Sequence, residues 1–356
     1  MNLLLTGATG FVGRNILIEA LTKGAYEKIY VPVRSRKKFE IQLAGEGYGT
    51  MPPALEVFEG DSGNWNLPEG ARRAEHVIHG AGVIFATTWD EYQVTNVGGT
   101  RSLMRALEKP ERVVVLSSVS TAGPCDPSSQ TREEGGVDRP LTWYGKSKLQ
   151  MEEVLKTEFG HLPYLCLRPP MIFGPRDHAT LPLFKMIRRP LHFKPSFVNK
   201  QYNVLAVQDL VSAIFTALDK PGPLPENPHR YYYVTNPALV TDRDILKTAA
   251  KVVGAWGLIL PVPQAVLKVA SRLVSSIPTW RTTIPSLSVD RAREIWPRYW
   301  LFSSRKFSAD FNWTAKVDFE TAVRSTYDWY VKFGQVRRVN KRVRQVEAVV
   351  SQTATH

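Results

Sequence analysis

Tyr144 and Lys148 stand four positions apart in Trp143-Tyr144-Gly145-Lys146-Ser147-Lys148. In a helix that spacing puts both side chains on one face, one turn apart. A phenol by itself has a pKa of about 10, too high to trade protons easily near neutrality. A nearby ammonium favours the phenolate and lowers that value. A tyrosine so placed can give a proton to, or take one from, an oxygen of a small molecule. Ser118 follows the apolar run Val113-Val114-Val115-Leu116 and can donate a hydrogen bond to the same oxygen. Plain readings stand beside these. Tyr-x-x-x-Lys pairs arise by chance, Lys146 serves equally as a surface charge, and Ser117 and Ser120 compete with Ser118.

Proton transfer of this kind needs a second reactant, and the N-terminus suggests one. Leu3-Leu4-Leu5 reads as a buried strand, and Thr6-Gly7-Ala8-Thr9-Gly10-Phe11-Val12-Gly13 as a glycine turn. Apolar positions 17, 20 and 21 then continue as a helical face. Strand, glycine turn and helix form the context in which such glycines mean dinucleotide binding. Gly7 takes the tight turn, Gly10 lets backbone approach a pyrophosphate, and Gly13 lets helix and strand pack closely. Thr9, Phe11 and Val12 complete the loop, whose helix-start N–H groups face phosphate charge.

An NAD binder commonly carries an acid about 20 residues past the glycines. Here that place holds Val33-Arg34-Ser35-Arg36. Arg34 can meet a 2′-phosphate, so NADP is preferred over NAD; the plain reading is a loop decorated with arginines. Asp61 and Ser62 follow a third strand run, where Asp61 could accept from an adenine amino group, although Gly60-Asp61-Ser62 reads equally as a turn. Gly80-Ala81-Gly82 is small enough for a dinucleotide to lie across it. Ser118, Tyr144 and Lys148 would then orient a carbonyl while hydride moves to or from the nicotinamide.

The elements that must position these residues alternate along the chain. Strand patterns fall at 29–33, 55–59, 76–79, 113–116 and 164–168, with helices at 90–107 and 142–158. Continuous apolar runs suit parallel strands covered on both faces. The pattern predicts an α/β chain: a Rossmann-type, doubly wound parallel sheet with a smaller C-terminal substrate-binding lobe. The predicted divisions are a dinucleotide-binding domain at 1–170, with later strands returning to it near 200–210 and 231–235, a substrate lobe at 171–334, and a basic, disordered tail at 335–356. Further helices are predicted at 242–253, 262–276, 290–296 and 319–333.

These motifs, in this order, resemble the extended short-chain dehydrogenase/reductase superfamily. The marks are the Thr6 to Gly13 turn, Asn96-Val97-Gly98-Gly99-Thr100, Ser117-Ser118, Tyr144 to Lys148, Leu167-Arg168-Pro169, Gly174-Pro175-Arg176-Asp177 and Val207-Gln208-Asp209-Leu210. The resemblance covers about residues 1 to 330. It implies that Ser118, Tyr144 and Lys148 are catalytic, that Asn96 lies near the nicotinamide side, and that Pro169 to Ile172 line the nicotinamide pocket; Ser117 is a further candidate for cofactor binding. Within the superfamily the pattern is similar to 3β-hydroxysteroid dehydrogenases and dihydroflavonol reductases, and Ile29 to Leu43 is similar to fatty acyl-CoA and thioester reductases. Nucleotide-sugar 4,6-dehydratases carry an Asp-Glu pair beside the catalytic hydroxyl. Val119-Ser120-Thr121 stands there instead, which counts against dehydration and leaves a sugar 4-epimerase open. The main expectation is a ketone/secondary-alcohol oxidoreductase acting on a hydrophobic substrate. The alternatives are a nucleotide-sugar 4-epimerase with tightly held NAD and a non-catalytic NADP-binding protein. The resemblance also implies a homodimer through a helix pair that includes the Tyr144 helix.

Composition limits the partners. The chain of 356 residues is 43% hydrophobic and 22% charged, with a net charge of +13. Its cations lie dispersed or in short clusters with no nucleic-acid motif, so no nucleic-acid partner is expected. Cys125 and Cys166 have no metal-ligand spacing, so no metal is expected, and so few cysteines fit a reducing, cytoplasmic location. A core strand so near Met1 predicts no leader. Residues 261–277 place apolar positions 262, 266, 269, 270, 273, 274 and 277 at helical spacing, opposite Lys268, Ser271 and Arg272. That pattern predicts a packed covering helix or, alternatively, a peripheral contact with membrane lipid that admits a hydrophobic substrate. Trp280, Trp296, Tyr299, Trp300 and Phe302 suit a core or an apolar pocket, Trp313 a structural role, and Arg176 an anionic substrate group or a surface ion pair.

Overall fold

The computed structural model describes residues 1–125, 131–277 and 288–338. Its first six strands are β1 (Asn2–Thr6), β2 (Lys28–Val33), β3 (Leu55–Glu59), β4 (His76–His79), β5 (Arg112–Leu116) and β6 (Tyr164–Arg168). Then come β7 (Met171–Phe173), β8 (Leu191–Pro195), β9 (Gln201–Ala206) and β10 (Tyr231–Tyr233). The last three are β11 (Leu239–Thr241), β12 (Leu258–Val262) and β13 (Tyr299–Trp300). The main sheet has seven strands in the order β10-β6-β5-β4-β1-β2-β3. Every pairing in it is parallel. The order reverses between β1 and β4, and the crevice beyond their carboxyl ends is where such sheets bind ligands.

The apolar runs are explained by cover on both faces. Leu3 and Leu5 share one core with the helix Val207–Leu218, and Leu4, Val113 and Val115 share the other with the helix Trp143–Glu158. Helix α1 (Phe11–Lys23) packs on the first face through Ile16, Leu17 and Ala20. Helix α2 (Arg36–Gly45) follows β2 and is capped by Ser35, whose side chain accepts from Lys38 N at 3.5 Å. The helix expected at 90–107 is present but interrupted: Gln93–Gly98 is wound as a π-helix between α-helical turns.

Four expectations change. The run near 200–210 does not return to the main sheet. Its strand β9 pairs with β7, β11 and β13 in a second sheet, and only the following helix comes back to cover the first. Asn203 on β9 shows why, since it accepts from Phe302 N at 2.6 Å and donates to Asn236 O at 3.1 Å, partners that belong to the second sheet's surroundings. The helix expected from Val262 starts at Gln264, because residues 258–262 pair with β8 and Pro263 has no N–H to extend the ladder. That helix also leaves most of its apolar stripe uncovered, which departs from the packed covering helix, one of the two readings of the stripe. Val266, Val269 and Leu273 are exposed, whereas Ser271 and Val274 are buried. The helix at 290–296 is a single 3-10 turn, Arg291–Glu294. Trp280 and the tail beyond residue 338 lie outside the described residues. No described helix is long and apolar enough to cross a membrane.

Candidate active site

The glycine turn is built as its spacing requires. Gly7 has φ +78°, and a Cβ there would stand 2.6 Å from Gly80 C. A Cβ on Gly13 would stand 2.1 Å from Gly7 O, so the start of α1 presses directly on the turn. Helix geometry leaves the N–H groups of its first residues without intrahelical acceptors, and its N-cap, Gly10, supplies no side chain to satisfy them. The turn is held against β4 by a buried relay. Thr100 Oγ1 donates to Asn96 O at 2.7 Å, so it accepts from His79 Nε2 at 2.8 Å. His79 Nδ1 then accepts from Thr6 Oγ1 at 2.8 Å, and Thr6 Oγ1 accepts from Ala81 N at 3.2 Å. Burial pushes the His79 imidazolium down to about 3, so the relay runs through a neutral ring.

A cavity of about 440 Å3 starts at this turn. Gly7, Gly10, Phe11, Val12, Gly13, Gly80 and Gly82 line it, and so do Ser117, Ser118, Tyr144, Lys148, Pro169 and Ile172. Ile84, Phe85, Met171 and Trp300 add an apolar wall. The N-cap Thr142 starts the Tyr144 helix by accepting from Gly145 N at 3.1 Å.

Ser118 ends the strand-to-turn passage after β5. Its Oγ accepts from Ser120 N at 3.1 Å, which leaves the hydroxyl proton free to donate, and the hydroxyl is near enough to the Tyr144 phenol to act against the effect of its burial. The expected acidification of Tyr144 by Lys148 is not what the geometry gives. Burial pushes the phenol up to about 12, and the cation acting against that is Arg291. Its guanidinium lies 4.9 Å from the Tyr144 ring centre and 5.4 Å from that of Phe85. Lys148 is buried and donates to Leu116 O at 2.8 Å, with its ammonium pushed down to about 8 by desolvation.

Several predicted residues act at one remove from the cavity. Asn96 is fully buried; it donates to Ser147 Oγ at 2.9 Å and accepts from Val83 N at 2.8 Å, bracing the Gly82 loop against the Tyr144 helix. A Cβ on Gly82 would meet Asn96 Oδ1 at 2.9 Å and Lys148 Nζ at 3.2 Å. Ser117 donates to Glu152 in a very short contact, so its hydroxyl is committed to the protein. Thr9, Arg34, Asp61, Ser62, Ala81 and Asn96 are not among the residues lining the cavity. Asp61 closes its own turn by accepting from Gly63 N at 2.8 Å, and Ser62 packs against Gly99. Arg34 is exposed at the end of β2 and has no ion-pair partner among the described residues, while Arg36 pairs with Glu40 at 2.9 Å. Arg176 is not free for a substrate anion: it grips Glu46 through two bonds of 2.8 and 2.7 Å and donates to Asn15 at 2.8 Å. Trp313 is 4% exposed and packs on Phe307 in the core.

Arg291 and Glu294 line the cavity and were not singled out in the sequence. They arrive from a segment about 147 residues after the start of the Tyr144 helix, where Asp290 accepts from Trp143 N at 3.0 Å and Glu294 from Thr142 Oγ1 at 2.7 Å. No local spacing announces such a contact. Glu152 was missed too, although it lies one turn past Lys148 on the same face. It and Asp138 hold the fully buried Arg168 between them, at 3.0 and 2.7 Å.

The seven-stranded parallel sheet, its glycine turn and the Ser/Tyr/Lys set define a dinucleotide-binding enzyme of the extended short-chain dehydrogenase/reductase type. The sequence matches the profile of the NAD dependent epimerase/dehydratase family over residues 3–231, and the chain belongs to that family. It is similar to the ceramide reductase of Caulobacter vibrioides, 25% identical over 334 residues that cover 92% of this chain and 93% of that one. It is also similar to a 4-hydroxy-2-methyl-3-oxo-4-farnesyl-3,4-dihydroquinoline-1-oxide ketoreductase of Stigmatella aurantiaca, 25% identical over 80% of this chain and 82% of that one. Among solved structures, the UDP-glucuronic acid 4-epimerase of Bacillus cereus in complex with NAD shares the fold, with a TM-score of 0.73 at 16% identity, covering 94% of this chain and 98% of that one.

Proposed function

We propose that this chain is an NADP(H)-dependent oxidoreductase that interconverts a ketone and a secondary alcohol on a lipid-like substrate. One observation carries the reading: a single cavity is lined by the glycine turn, by Ser118 and Tyr144, and by the apolar side chains of Ile84, Phe85, Met171 and Trp300. Two relatives bear the names of reductases of a ceramide and of a farnesylated quinoline, which supports the substrate class.

The glycine turn and the open end of α1 fit a pyrophosphate, since side chains are absent where the backbone must be approached. Arg34, exposed and unpaired by acid among the described residues, is the residue that would meet a 2′-phosphate, and Lys148 the one that would hold the nicotinamide ribose. A bound nicotinamide supplies or accepts the hydride. In the reductive direction Ser118 donates its free hydroxyl proton as a hydrogen bond to the carbonyl oxygen. Tyr144, kept protonated by burial, transfers its proton to that oxygen. The phenolate left behind is favoured by Arg291 over its ring and regains a proton from solvent.

A nucleotide-sugar 4-epimerase remains the second reading, supported by the shared fold with the Bacillus cereus enzyme. Against it, Lys148 and Arg291 are the cations lining the cavity among the described residues, and Arg291 is paired with Glu294 at 3.2 Å. A diphosphate would need free cations there. NADPH oxidation against ketones of graded chain length tests the first reading, with turnover expected to rise with apolar length. NAD released on denaturing the purified protein, with no net oxidation of added NADPH, would favour the epimerase. Arg34→Ala is expected to weaken NADPH about 10-fold and leave NADH unchanged, the size of one charge-assisted contact.

A further inference from the structure

Two adjoining segments on the substrate side expose apolar side chains, and in one of them the polar side chains are turned inward. In the parallel ribbon of β8 and β12, Leu191, Phe193 and Leu258 are exposed by 42, 49 and 53%. The alternating positions His192 and Lys194 point inward and are satisfied there: His192 Nε2 lies 3.0 Å from Ile187 O, and Lys194 pairs with Asp242 at 3.3 Å. β12 runs through Pro263 directly into the helix Gln264–Ser276, so the two surfaces adjoin. On that helix Val266, Val269 and Leu273 are exposed by 55, 55 and 51%, while Ser271 is buried. Trp256 and Phe197 in the neighbouring loops are 74 and 70% exposed. Apolar area gathered in this way marks a surface that meets a partner.

Charge names the partner. Residues 178–208 and 245–289 contain no Asp or Glu. Lys185, Arg188, Arg189, Lys268 and Arg272 are exposed there and have no ion-pair partner among the described residues. Aromatic and aliphatic side chains fringed by unpaired cations are the composition of an interfacial anchor. A second copy of the chain meeting this face about a twofold axis would set cations against cations. An anionic bilayer complements both the apolar area and the charge.

We propose that the β8–β12 ribbon and the helix Gln264–Ser276 form a platform that docks on anionic lipid. This deepens the lipid-like substrate reading and rests on it for its purpose, but not for its test. The next described residues, 288–302, supply Arg291, Glu294 and Trp300 to the cavity, so a docked platform holds the site's apolar wall near the source of such substrates.

The test is sedimentation of the full-length protein with phosphatidylcholine vesicles, with and without about one third phosphatidylglycerol. Binding is expected to need the anionic lipid and to weaken as salt rises. The double variant Val269→Asp, Leu273→Asp is expected to bind about 10-fold less, with NADPH affinity and turnover of a water-soluble ketone unchanged. Failure of the ketone assay alone would count against the function and leave the platform standing. No sedimentation of the wild type, equal sedimentation of the variant, or a wild-type dimer that the variant splits in light scattering would each overturn the platform.

Discussion

Tyr144 keeps its proton across the neutral range because burial outweighs the Arg291 cation on its ring. Lys148, pushed down to about 8, is the group near it that changes charge within working pH. Ketone reduction is therefore expected to fall as pH rises through about 8, where the lysine loses the charge that would hold a ribose. Lys148→Arg keeps that charge at all working pH, so its profile should be flat there even if its rate is lower. An unchanged limb near pH 8 in that variant, read from kcat against pH, would place the titration elsewhere. The Tyr144, Lys148 and Ser118 positions were legible because one helical turn and one strand end bring them together. Their electrostatics were not. The acidifying partner expected one turn away is turned toward Leu116 O, and the cation that acts comes from a segment 147 residues further on. Arg176 shows the same limit, since the largely buried carboxylate of Glu46, just past the end of α2, takes it from the substrate side.

The helix that carries Tyr144 is fixed in place by a buried ion cluster. Glu152 and Asp138 hold Arg168 on β6, whose guanidinium also lies 3.4 Å from the Tyr231 ring centre on β10. Removing one partner leaves a buried charge uncompensated, so Glu152→Ala is expected to cost about 3–5 kcal/mol in urea unfolding. Replacing both with apolar residues, Glu152→Leu with Arg168→Met, should cost less than the single change. The His79 relay makes a separate pH statement. The unfolded imidazole takes up a proton below about 6.5, which the folded ring refuses until about 3. Its contribution to stability is thus full above 6.5 and declines as pH falls through that window. Thermal midpoints between pH 7 and 4 should fall less steeply in His79→Gln than in the wild type. At this scale the parallel strands were readable because continuous apolar runs mean two covered faces. The orientation of the helix Gln264–Ser276 was not, because a stripe of valines and leucines at helical spacing fits a core or a lipid surface equally well, and only Ser271 and Val274 of this helix are buried.

Across the whole molecule, the reversal of strand order between β1 and β4 puts the glycine turn at one end of a crevice. The second sheet, with β7 and β9, and the 288–302 segment wall the other end. The first arrangement follows from alternating strand and helix patterns. The second could not be read locally, because β9 is an ordinary short strand whose sheet is decided by Phe302 and Asn236, far away in sequence. The exposed apolar side chains of the β8–β12 ribbon and the helix Gln264–Ser276, with the cations around them, give this half an apolar, cationic exterior. The claim on which all of this turns is net hydride transfer governed by the Tyr144 phenol. It is tested most directly by mixing the enzyme with one equivalent of NADPH and a long-chain ketone, and following nucleotide absorbance beside the yield of alcohol. The account predicts one alcohol formed per NADPH oxidised, with the rate falling about 10²–10⁴-fold in Tyr144→Phe at unchanged NADPH affinity. Substrate converted without loss of NADPH, or a Tyr144→Phe variant as fast as the wild type, would contradict it.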